Sequence, residues 1–261
     1  MASSTRQRRE TILAKAFELG HVVVRDLAGE LAVSEATVRR DLHSLAAEGR
    51  VELTHGGAFV ARNGDFSFRS KAMRNVEAKR IIGRLAAELV RDGEQVFLDS
   101  GTTCFEMAPH LRRKRGLQVI VNAVRIAEEL DAPGLSVIVL GGQYRPDRMD
   151  TVGPMATAAL DQLRGYRAFV GTDGLGMDFG LTAGDIESAH LYRLAVRNSR
   201  EAILLADHSK FRAPSLYRIV EWDAICRVVT DVQPPAEWGE FFRARNIEVI
   251  CPPGPPSTPE S

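Results

Sequence analysis

The strongest constraint on the fold of this chain is the spacing of apolar residues between positions 33 and 45. Successive helical residues are about 100° apart, so Val38, Leu42 and Leu45 lie on one narrow stripe that must face a core. Ser34 is suited to cap this helix, because its hydroxyl can accept hydrogen bonds from the amides of the first turn. An ordinary amphipathic surface helix would explain these residues equally well, so the neighbouring segments must decide.

The opposite face of the predicted helix is small near its start and cationic one turn later. Such a surface permits close approach to bases and phosphates. It consists of Ala36, Thr37, Arg40, His43 and Ser44, with Arg39 on its flank.

The neighbouring segments favour a DNA-binding module over residues 1–60. Ile12, Leu13 and Ala16 keep helical spacing, and residues 24–31 predict a second short helix with a tight connection to the third. Two helices joined by such a turn form the helix-turn-helix arrangement. Residues 50–59 alternate around a pair of glycines and predict a hairpin, which would be the wing of a winged helix-turn-helix.

These segments resemble the DeoR family of bacterial transcriptional regulators. The resemblance extends from about residue 6 to residue 231. It implies a repressor of carbohydrate genes with a C-terminal domain that senses a sugar phosphate. The residues that carry it are Val33-Ser34-x-x-Thr37-Val38-Arg39-Arg40-Asp41-Leu42, then Leu45, Gly49 and His55-Gly56-Gly57-Ala58.

The charge of the chain is balanced, with 34 basic and 34 acidic residues. A general nucleic-acid binder would be basic, so neutrality weakens non-specific DNA binding and leaves affinity to specific contacts and dimerisation. Residues 1–60 are also neutral, but Arg6, Arg8 and Arg9 cluster at the start of the chain. We predict DNA contacts from Ser34, Thr37, Arg39, Arg40, Arg50 and His55.

The cysteines and the hydropathy pattern indicate a cytoplasmic protein without a metal or cofactor. Cys104, Cys226 and Cys251 are odd in number and lack metal-ligand spacing, which argues for a reducing compartment and against disulfides or zinc. The polar N-terminus is unlike a signal peptide, and no apolar run is long enough to cross a membrane.

Beyond the DNA-binding module, the pattern predicts a second, larger α/β domain. Residues 61–75 lack periodicity and are predicted to be a linker, whereas residues 76–251 alternate short apolar runs with helical stretches. This alternation predicts a mostly parallel sheet covered on both faces. Residues 252–261 are rich in proline and predict a disordered tail. The predicted strands are 96–98, 119–121, 137–140, 168–170, 203–206, 218–220, 228–230 and 249–250.

Polar residues and glycines follow the predicted strands, where ligands of open α/β sheets bind. The first strand leads into Asp99, Ser100, Gly101, Thr102 and Thr103 before a helix, a plausible phosphate cradle without the lysine of a Walker loop. Turn chemistry explains each strand end alone, but the convergence of five such ends favours a binding site. The other candidate residues at these ends are Asn122, Gly141, Gly142, Asp173 and Lys210.

The resemblance adds one more candidate and one departure. The sensor domain is similar to ribose-5-phosphate isomerase and glucosamine-phosphate deaminase folds, which implies a phosphorylated sugar or sugar alcohol as effector. Glu187 matches one acid of the family pattern, but Ser188 and Tyr192 replace a second acid and a lysine. Tyr192 could stack on a sugar ring. Arg145, Arg148 and Asp150 could shape the pocket or form a solvated loop.

We therefore predict a DNA-binding repressor that acts on a double-stranded operator as a homo-oligomer, a dimer or a tetramer, and not an enzyme. A sugar-phosphate isomerase or deaminase fused to a DNA-binding module is the alternative, with Asp99, Asp173 or Glu187 as a base. A second alternative is a DNA-binding adaptor whose α/β domain only oligomerises. Isomerase and deaminase assays would separate the first alternative, and thermal shift with sugar phosphates the second.

Overall fold

The computed structural model describes residues 5–19, 21–48, 50–60 and 68–253, and these form two compact units that divide between Arg74 and Asn75. Gly20, Gly49, most of the predicted linker and nearly all of the predicted tail lie outside the described residues. The part of the predicted linker that is described contains a short helix at Phe68–Ala72.

The first unit has the predicted winged helix-turn-helix arrangement. Its three-stranded antiparallel sheet has the order β1-β3-β2. The hairpin of β2 and β3 was predicted, whereas β1 was missed because it is three residues long and runs directly into a helix. The elements are α1 (Thr5–Leu19), β1 (His21–Val23), α2 (Val24–Glu30), α3 (Glu35–Ala47), β2 (Val51–Thr54), β3 (Gly57–Val60) and α4 (Phe68–Ala72).

The core of the first unit is formed by the predicted stripe of α3. Val38, Leu42 and Leu45 are at most 1% exposed and pack in one cluster with Ile12 and Leu13 of α1. Removing the Leu42 side chain beyond Cβ would cost about 2–5 kcal/mol, because the cavity adds to the lost burial. This burial fixes which face of α3 points outward.

The second unit is built on a seven-stranded sheet in which every neighbouring pair of strands is parallel, with the order β15-β14-β12-β9-β4-β5-β6. The prediction of a mostly parallel α/β sheet is confirmed. The strands are β4 (Gln95–Leu98), β5 (Gln118–Val121), β6 (Ser136–Val139), β9 (Arg167–Gly171), β12 (Glu201–Leu205), β14 (Arg227–Val229) and β15 (Glu248–Ile250).

Two smaller antiparallel sheets accompany the main sheet. The predicted strand at 218–220 is a strand, but it belongs to one of these sheets and pairs with a glycine-containing hairpin. The apolar pattern did not show that this strand pairs outside the parallel sheet, because the strands of its hairpin partner are rich in glycine. The two sheets contain β7 (Gln143–Arg145) and β8 (Asp150–Val152), and β10 (Gly174–Gly176), β11 (Gly180–Ala183) and β13 (Tyr217–Val220).

Helices cover both faces of the parallel sheet. Side chains of a strand alternate between the two faces, and Phe97 packs in one buried cluster whereas Val96 and Leu98 pack in the other. The same alternation separates Ile120 from Val119 and Val121. The helices are α5 (Val76–Glu88), α6 (Thr102–Phe105), α7 (Ala108–Leu111), α8 (Val124–Glu129), α9 (Pro154–Asp161), α10 (Ile186–Asn198) and α11 (Ala236–Ala244).

The order of the parallel strands reverses at one point. The chain proceeds from β4 outward through β5 and β6, then returns to β9 on the other side of β4. From the end of β4 the chain therefore continues toward β5 on one side of the sheet. From the end of the neighbouring β9 it continues toward β12 on the other side. In open α/β sheets this switch point is where ligands bind.

Candidate functional site

The outer face of α3 is exposed as the sequence predicts. Ala36 and Arg40 each lie about 160° around the helix axis from the buried Val38, and both are exposed. His43 is also exposed on this side. The Arg40 guanidinium has one weak contact, in which Nε donates to the Ala36 carbonyl oxygen at 3.4 Å. Arg40 forms no ion pair with any residue that the structure describes, so its charge is available.

Ser34 and Thr37 organise the start of α3. The Ser34 hydroxyl accepts a hydrogen bond from the Thr37 amide at 3.2 Å, and the two hydroxyl oxygens are 2.9 Å apart. Ser34 is therefore the N-cap of α3, as predicted. Because both hydroxyls bind each other, their first role is to fix the direction of the helix.

The remaining predicted DNA contacts differ in their surroundings. Arg39 is exposed, and its guanidinium donates to Glu35 at 2.7 Å one turn earlier. Such an exposed pair contributes at most about 1 kcal/mol to folding. Arg50 is half-buried just before β2, and His55 is exposed in the turn between β2 and β3.

The basic cluster at the start of α1 serves folding more than DNA binding. Arg8 and Arg9 donate to the two carboxylate oxygens of Asp41, at 2.6 and 3.0 Å, and Asp41 is 2% exposed. Burial raises the pKa of Asp41, but the hydrogen bonds and charges of the two arginines outweigh it and leave the pKa lowered. Only Arg6 of this cluster remains mostly exposed, paired with Glu10.

In the second unit, Asp99 joins the two loops of the switch point. Its carboxylate is 1% exposed and accepts hydrogen bonds from the Gly101 amide at 2.7 Å and from the Gly171 amide. Burial raises the pKa of Asp99. The prediction that Asp99 binds sugar hydroxyls needs correction, because its oxygens bind backbone and hold the loops after β4 and β9 together.

Ser100 is also bound from within the protein. Its hydroxyl donates to Asp150 Oδ2 at 2.8 Å and lies 2.6 Å from the Tyr192 hydroxyl, which also accepts from the Ser100 amide at 3.3 Å. Since the one hydroxyl proton of Ser100 goes to Asp150, Tyr192 must donate to Ser100. Tyr192 is buried by this contact, so its predicted stacking on a sugar ring is wrong.

The first turn of α6 keeps free donors. Thr102 and Thr103 are at most 8% exposed. Their hydroxyls have no hydrogen-bond partner among the residues that the structure describes. Amides of a first helical turn also lack intrahelical acceptors. Gly101 precedes them, and a Cβ there would lie 2.8 Å from Asp99 Oδ1, so glycine is needed for this close approach.

The residues after β5 and β6 support the β7–β8 hairpin. Asn122 is fully buried, and its amide donates to the Thr151 carbonyl at 3.0 Å. Gly142 has φ 149°, and a Cβ there would lie 2.5 Å from the Val152 carbonyl oxygen. Both residues thus support the hairpin, whereas Asn122 Oδ1 is buried without a hydrogen-bond partner among the described residues, and their effector contacts stay predictions. Gly141 is exposed and remains open.

Three predicted residues stay accessible near the other strand ends. The Asp173 carboxylate accepts from the Gly184 amide at 2.7 Å and is half-buried. Glu187 is exposed in the first turn of α10. Lys210 is half-buried in a short 3-10 helix, His208–Phe211, that Asp207 caps.

Arg145 and Arg148 are half-buried and form a network of ion pairs, which a freely solvated loop would not have. Arg145 donates to both oxygens of Asp150, at 2.8 and 2.7 Å, and to Asp185 at 2.8 Å. Arg148 donates to the other oxygen of Asp185 at 2.6 Å, and Arg145 also donates to Ser188 at 2.9 Å. This network connects the hairpin to the start of α10 and, through Asp150, to Ser100.

Two buried cations were missed by the sequence analysis. Arg125 of α8 donates to the Arg148 carbonyl at 2.6 Å and to the Ser100 carbonyl, and burial lowers the pKa of Arg125 to about 10. Lys79 of α5 is 4% exposed, and its charge acts on Asp207 and Glu106. The sequence alone gives no sign that these two cations are buried, because their burial depends on the packing of α5 and α8 against the sheet.

A cleft at the opposite edge of the sheet, where the strands begin, has a volume of about 570 Å³ and is lined by four arginines and four glutamates. At its centre Arg167 donates to Glu201 at 2.6 Å and to Glu94 at 3.2 Å. The four positive and four negative charges of the lining balance one another. We therefore interpret the cleft as a set of structural ion pairs and not as a ligand site.

The comparisons with known proteins identify the class. A model described as the DeoR-like helix-turn-helix domain matches residues 8–63, and one described as the DeoR C terminal sensor domain matches residues 74–232. This chain belongs to the DeoR family. The family prediction and the predicted fold are confirmed.

Individual relatives agree with this class. The HTH-type transcriptional repressor CsqR of Escherichia coli K12 is 29% identical over 94% of this chain and 95% of its own length. The lactose phosphotransferase system repressor of Lactococcus lactis subsp. lactis is 30% identical over 93% and 97%. Ribose 5-phosphate isomerase A of Methanocaldococcus jannaschii aligns with 52% of this chain and 55% of its own at 18% identity, with a TM-score of 0.39. The family models and the two repressors show that the chain is a DNA-binding transcriptional regulator and not an enzyme, as predicted.

The described residues contain neither a membrane-spanning helix nor a cluster of metal ligands. None of the helices in the described part of the chain is both long and apolar enough to cross a bilayer. Within the same part, no group of three or more His, Cys, Asp or Glu side chains is arranged to hold a metal ion.

Proposed function

We propose that this regulator represses carbohydrate genes by placing α3 in the major groove of an operator, and that a phosphorylated sugar relieves the repression. The observation that carries the DNA-binding part is the exposed Arg40 on the outer face of α3, which forms no ion pair with a described residue. An arginine can form a bidentate pair with guanine in this groove. Small residues such as Ala36 allow the helix to approach the bases closely.

The other DNA contacts follow from their positions. Ser34 and Thr37 fix the helix start and present their hydroxyls to the backbone, while Arg39 contacts a phosphate after exchanging its partner Glu35. Arg50 and His55 of the wing contact the flanking backbone. Because a single such module binds weakly, the protein acts as a homo-oligomer that presents two recognition helices to two half-sites.

The effector binds at the switch point between β4 and β9. The first turn of α6, with Gly101, Thr102 and Thr103, offers amides and hydroxyls to a phosphate group, and Lys210 offers a charge. Gly141, Asp173 and Glu187 face the sugar, whereas Asp99, Ser100, Asn122 and Gly142 hold the loops in place. The lactose phosphotransferase system repressor, to which this chain is similar, is named for the control of a sugar system, and this supports a carbohydrate-related ligand.

Thermal unfolding tests the effector. A sugar phosphate that binds the native state alone raises the unfolding midpoint of the whole protein, by an amount that grows with its concentration. The phosphates of glucose, fructose, ribose and glycerol are compared with the free sugars and with inorganic phosphate. A rise with a sugar phosphate that exceeds both controls supports the proposal, and the absence of a rise with every compound contradicts it.

The same experiment is repeated with Thr102→Val and Thr103→Val. These changes keep the shape of the buried side chains and remove only the hydroxyls that face the proposed phosphate. We expect the shift caused by the sugar phosphate to shrink or disappear. Thr11→Val, on α1 of the first unit, is the control that should keep the full shift.

A further inference from the structure

The first helix of the second unit begins with an unusual residue. Asn75 has left-handed backbone angles, φ 48° and ψ 42°, and stands at the N-cap position of α5 without capping it. Its side-chain amide instead donates to Asp207 Oδ1 at 3.0 Å, 132 positions further along the chain. The chain passes from the first unit into the second between Arg74 and Asn75. The hydrogen bond to Asp207 therefore fixes the position of Asn75, the first residue of the second unit.

Asp207 connects this entry point to a proposed effector residue. Asp207 is 1% exposed, follows β12, and accepts the Ser209 amide at 3.0 Å, which starts the 3-10 helix that carries Lys210. The charge of Lys79, one turn into α5, also acts on this carboxylate and helps to lower its pKa. Any displacement of Lys210 by a bound phosphate would therefore act on the carboxylate that Asn75 holds.

The same helix also contacts the loop after β4. Gly83 of α5 lies so close to Glu106 that a Cβ on the glycine would be 2.5 Å from the Glu106 carbonyl oxygen. Glu106 directly follows α6, whose first turn carries Thr102 and Thr103. Helix α5 thus touches both loops to which the proposed phosphate site belongs.

We propose that α5 transmits effector binding to the DNA-binding unit, and that the hydrogen bond from Asn75 to Asp207 is the link that does so. This inference rests on the proposed function, because it needs an effector at the switch point. A phosphate bound between the loops after β4 and β12 moves Asp207 and, through it, the start of α5. Arg74, the last residue of the first unit, is the direct chain neighbour of Asn75 and moves with it. Asn75 is a positioning residue and does not touch the effector.

The test uses Asn75→Gly in the full-length protein. Glycine adopts left-handed angles without cost, so the variant loses the side-chain hydrogen bond and not the backbone conformation. Asn246→Gly is the matched control, since Asn246 also has positive φ, 55°, and lies exposed after α11. DNA affinity is measured by fluorescence anisotropy on a duplex selected from a random pool by the unmodified protein. The probe is an equimolar mixture of the phosphates of glucose, fructose, ribose and glycerol.

In the unmodified protein we expect the mixture to weaken DNA binding roughly 5–150-fold, the usual range for coupled sites. In Asn75→Gly the mixture should still raise the unfolding midpoint, while its effect on DNA binding falls below about twofold. Asn246→Gly should keep the full effect. An unchanged effect in Asn75→Gly, or loss of the midpoint rise in that variant, would overturn the inference. If the mixture fails to raise the midpoint of the unmodified protein, the proposed effector fails, which is a separate result.

Discussion

Replacing Arg40 with alanine should weaken DNA binding and leave folding unchanged. The side chain is exposed, and its one contact is the 3.4 Å hydrogen bond to the Ala36 carbonyl. Alanine is also the best helix former, so the backbone loses nothing. We therefore expect the free energy of unfolding to change by less than about 0.5 kcal/mol, as for other surface substitutions.

The expected loss in DNA binding follows from the position of Arg40 on α3. A bidentate contact with a base contributes about 1–3 kcal/mol. Since about 1.4 kcal/mol corresponds to a tenfold change, the dissociation constant should rise roughly 5- to 150-fold. Arg39→Ala is the matched comparison on the same helix. Its guanidinium is already engaged by Glu35 at 2.7 Å, so we expect a smaller loss.

Anisotropy titrations at several salt concentrations separate the possible roles. A contact with a base lowers affinity for the selected duplex more than for unrelated DNA and leaves the salt dependence unchanged. A contact with a phosphate lowers affinity for both and reduces the salt slope by about 1. Equal affinity of Arg40→Ala and the unmodified protein for the selected duplex would refute the assignment of α3 as the recognition helix.

Three further predictions concern stability and the buried networks. Asp41→Asn should cost about 1.5–3 kcal/mol in unfolding free energy at neutral pH. The pKa of Asp41 is lowered in the folded protein, so the loss of unfolding free energy should be complete above the pKa of the unfolded chain, about 4. The loss should disappear as the pH falls through the pKa of the folded protein, which chemical denaturation at several pH values will measure. Tyr192→Phe removes the hydroxyl bound to Ser100 and should cost about 1–3 kcal/mol, measured by thermal unfolding. Arg167→Met removes the most buried partner of Glu94 and Glu201, which keep Arg200 and Arg227, and should cost about 1.5–3 kcal/mol. Arg200→Ala, at the exposed end of the same cleft, should cost less than about 1 kcal/mol in the same denaturation assay.

The features that the sequence predicts well are those set by neighbours along the chain. The stripe of Val38, Leu42 and Leu45 repeats at helical spacing, and Ser34 caps the helix that follows it directly. Five of the seven parallel strands, β4, β5, β9, β12 and β14, are mostly buried apolar runs, so composition marks them. The edge strands β6 and β15 are less buried but are also apolar runs. The hairpin of β10 and β11 has glycine at three of its seven positions and lacks that signal.

The roles of the switch-point residues depend on distant partners and could not be predicted in this way. Asp99 binds the amide of Gly171, 72 positions away, and Ser100 binds Tyr192, 92 positions away. The sequence shows which residues can form hydrogen bonds and which strand ends they follow. It does not show whether a donor has already been used within the protein, and this decides between a binding residue and a positioning residue.

The division between these two kinds of residue explains how the proposed site recognises its ligand. Buried carboxylates and hydroxyls hold the loops after β4, β9 and β12 in fixed positions, so the free amides and the hydroxyls of Thr102 and Thr103 are arranged before a ligand arrives. Such donors suit any phosphate, because they bind its oxygens and not the sugar. Selectivity between sugars must then come from accessible side chains such as Asp173 and Glu187. Replacing those side chains can change the preferred sugar without disturbing the buried network, whereas replacing Asp99 would disrupt the site for every phosphorylated ligand.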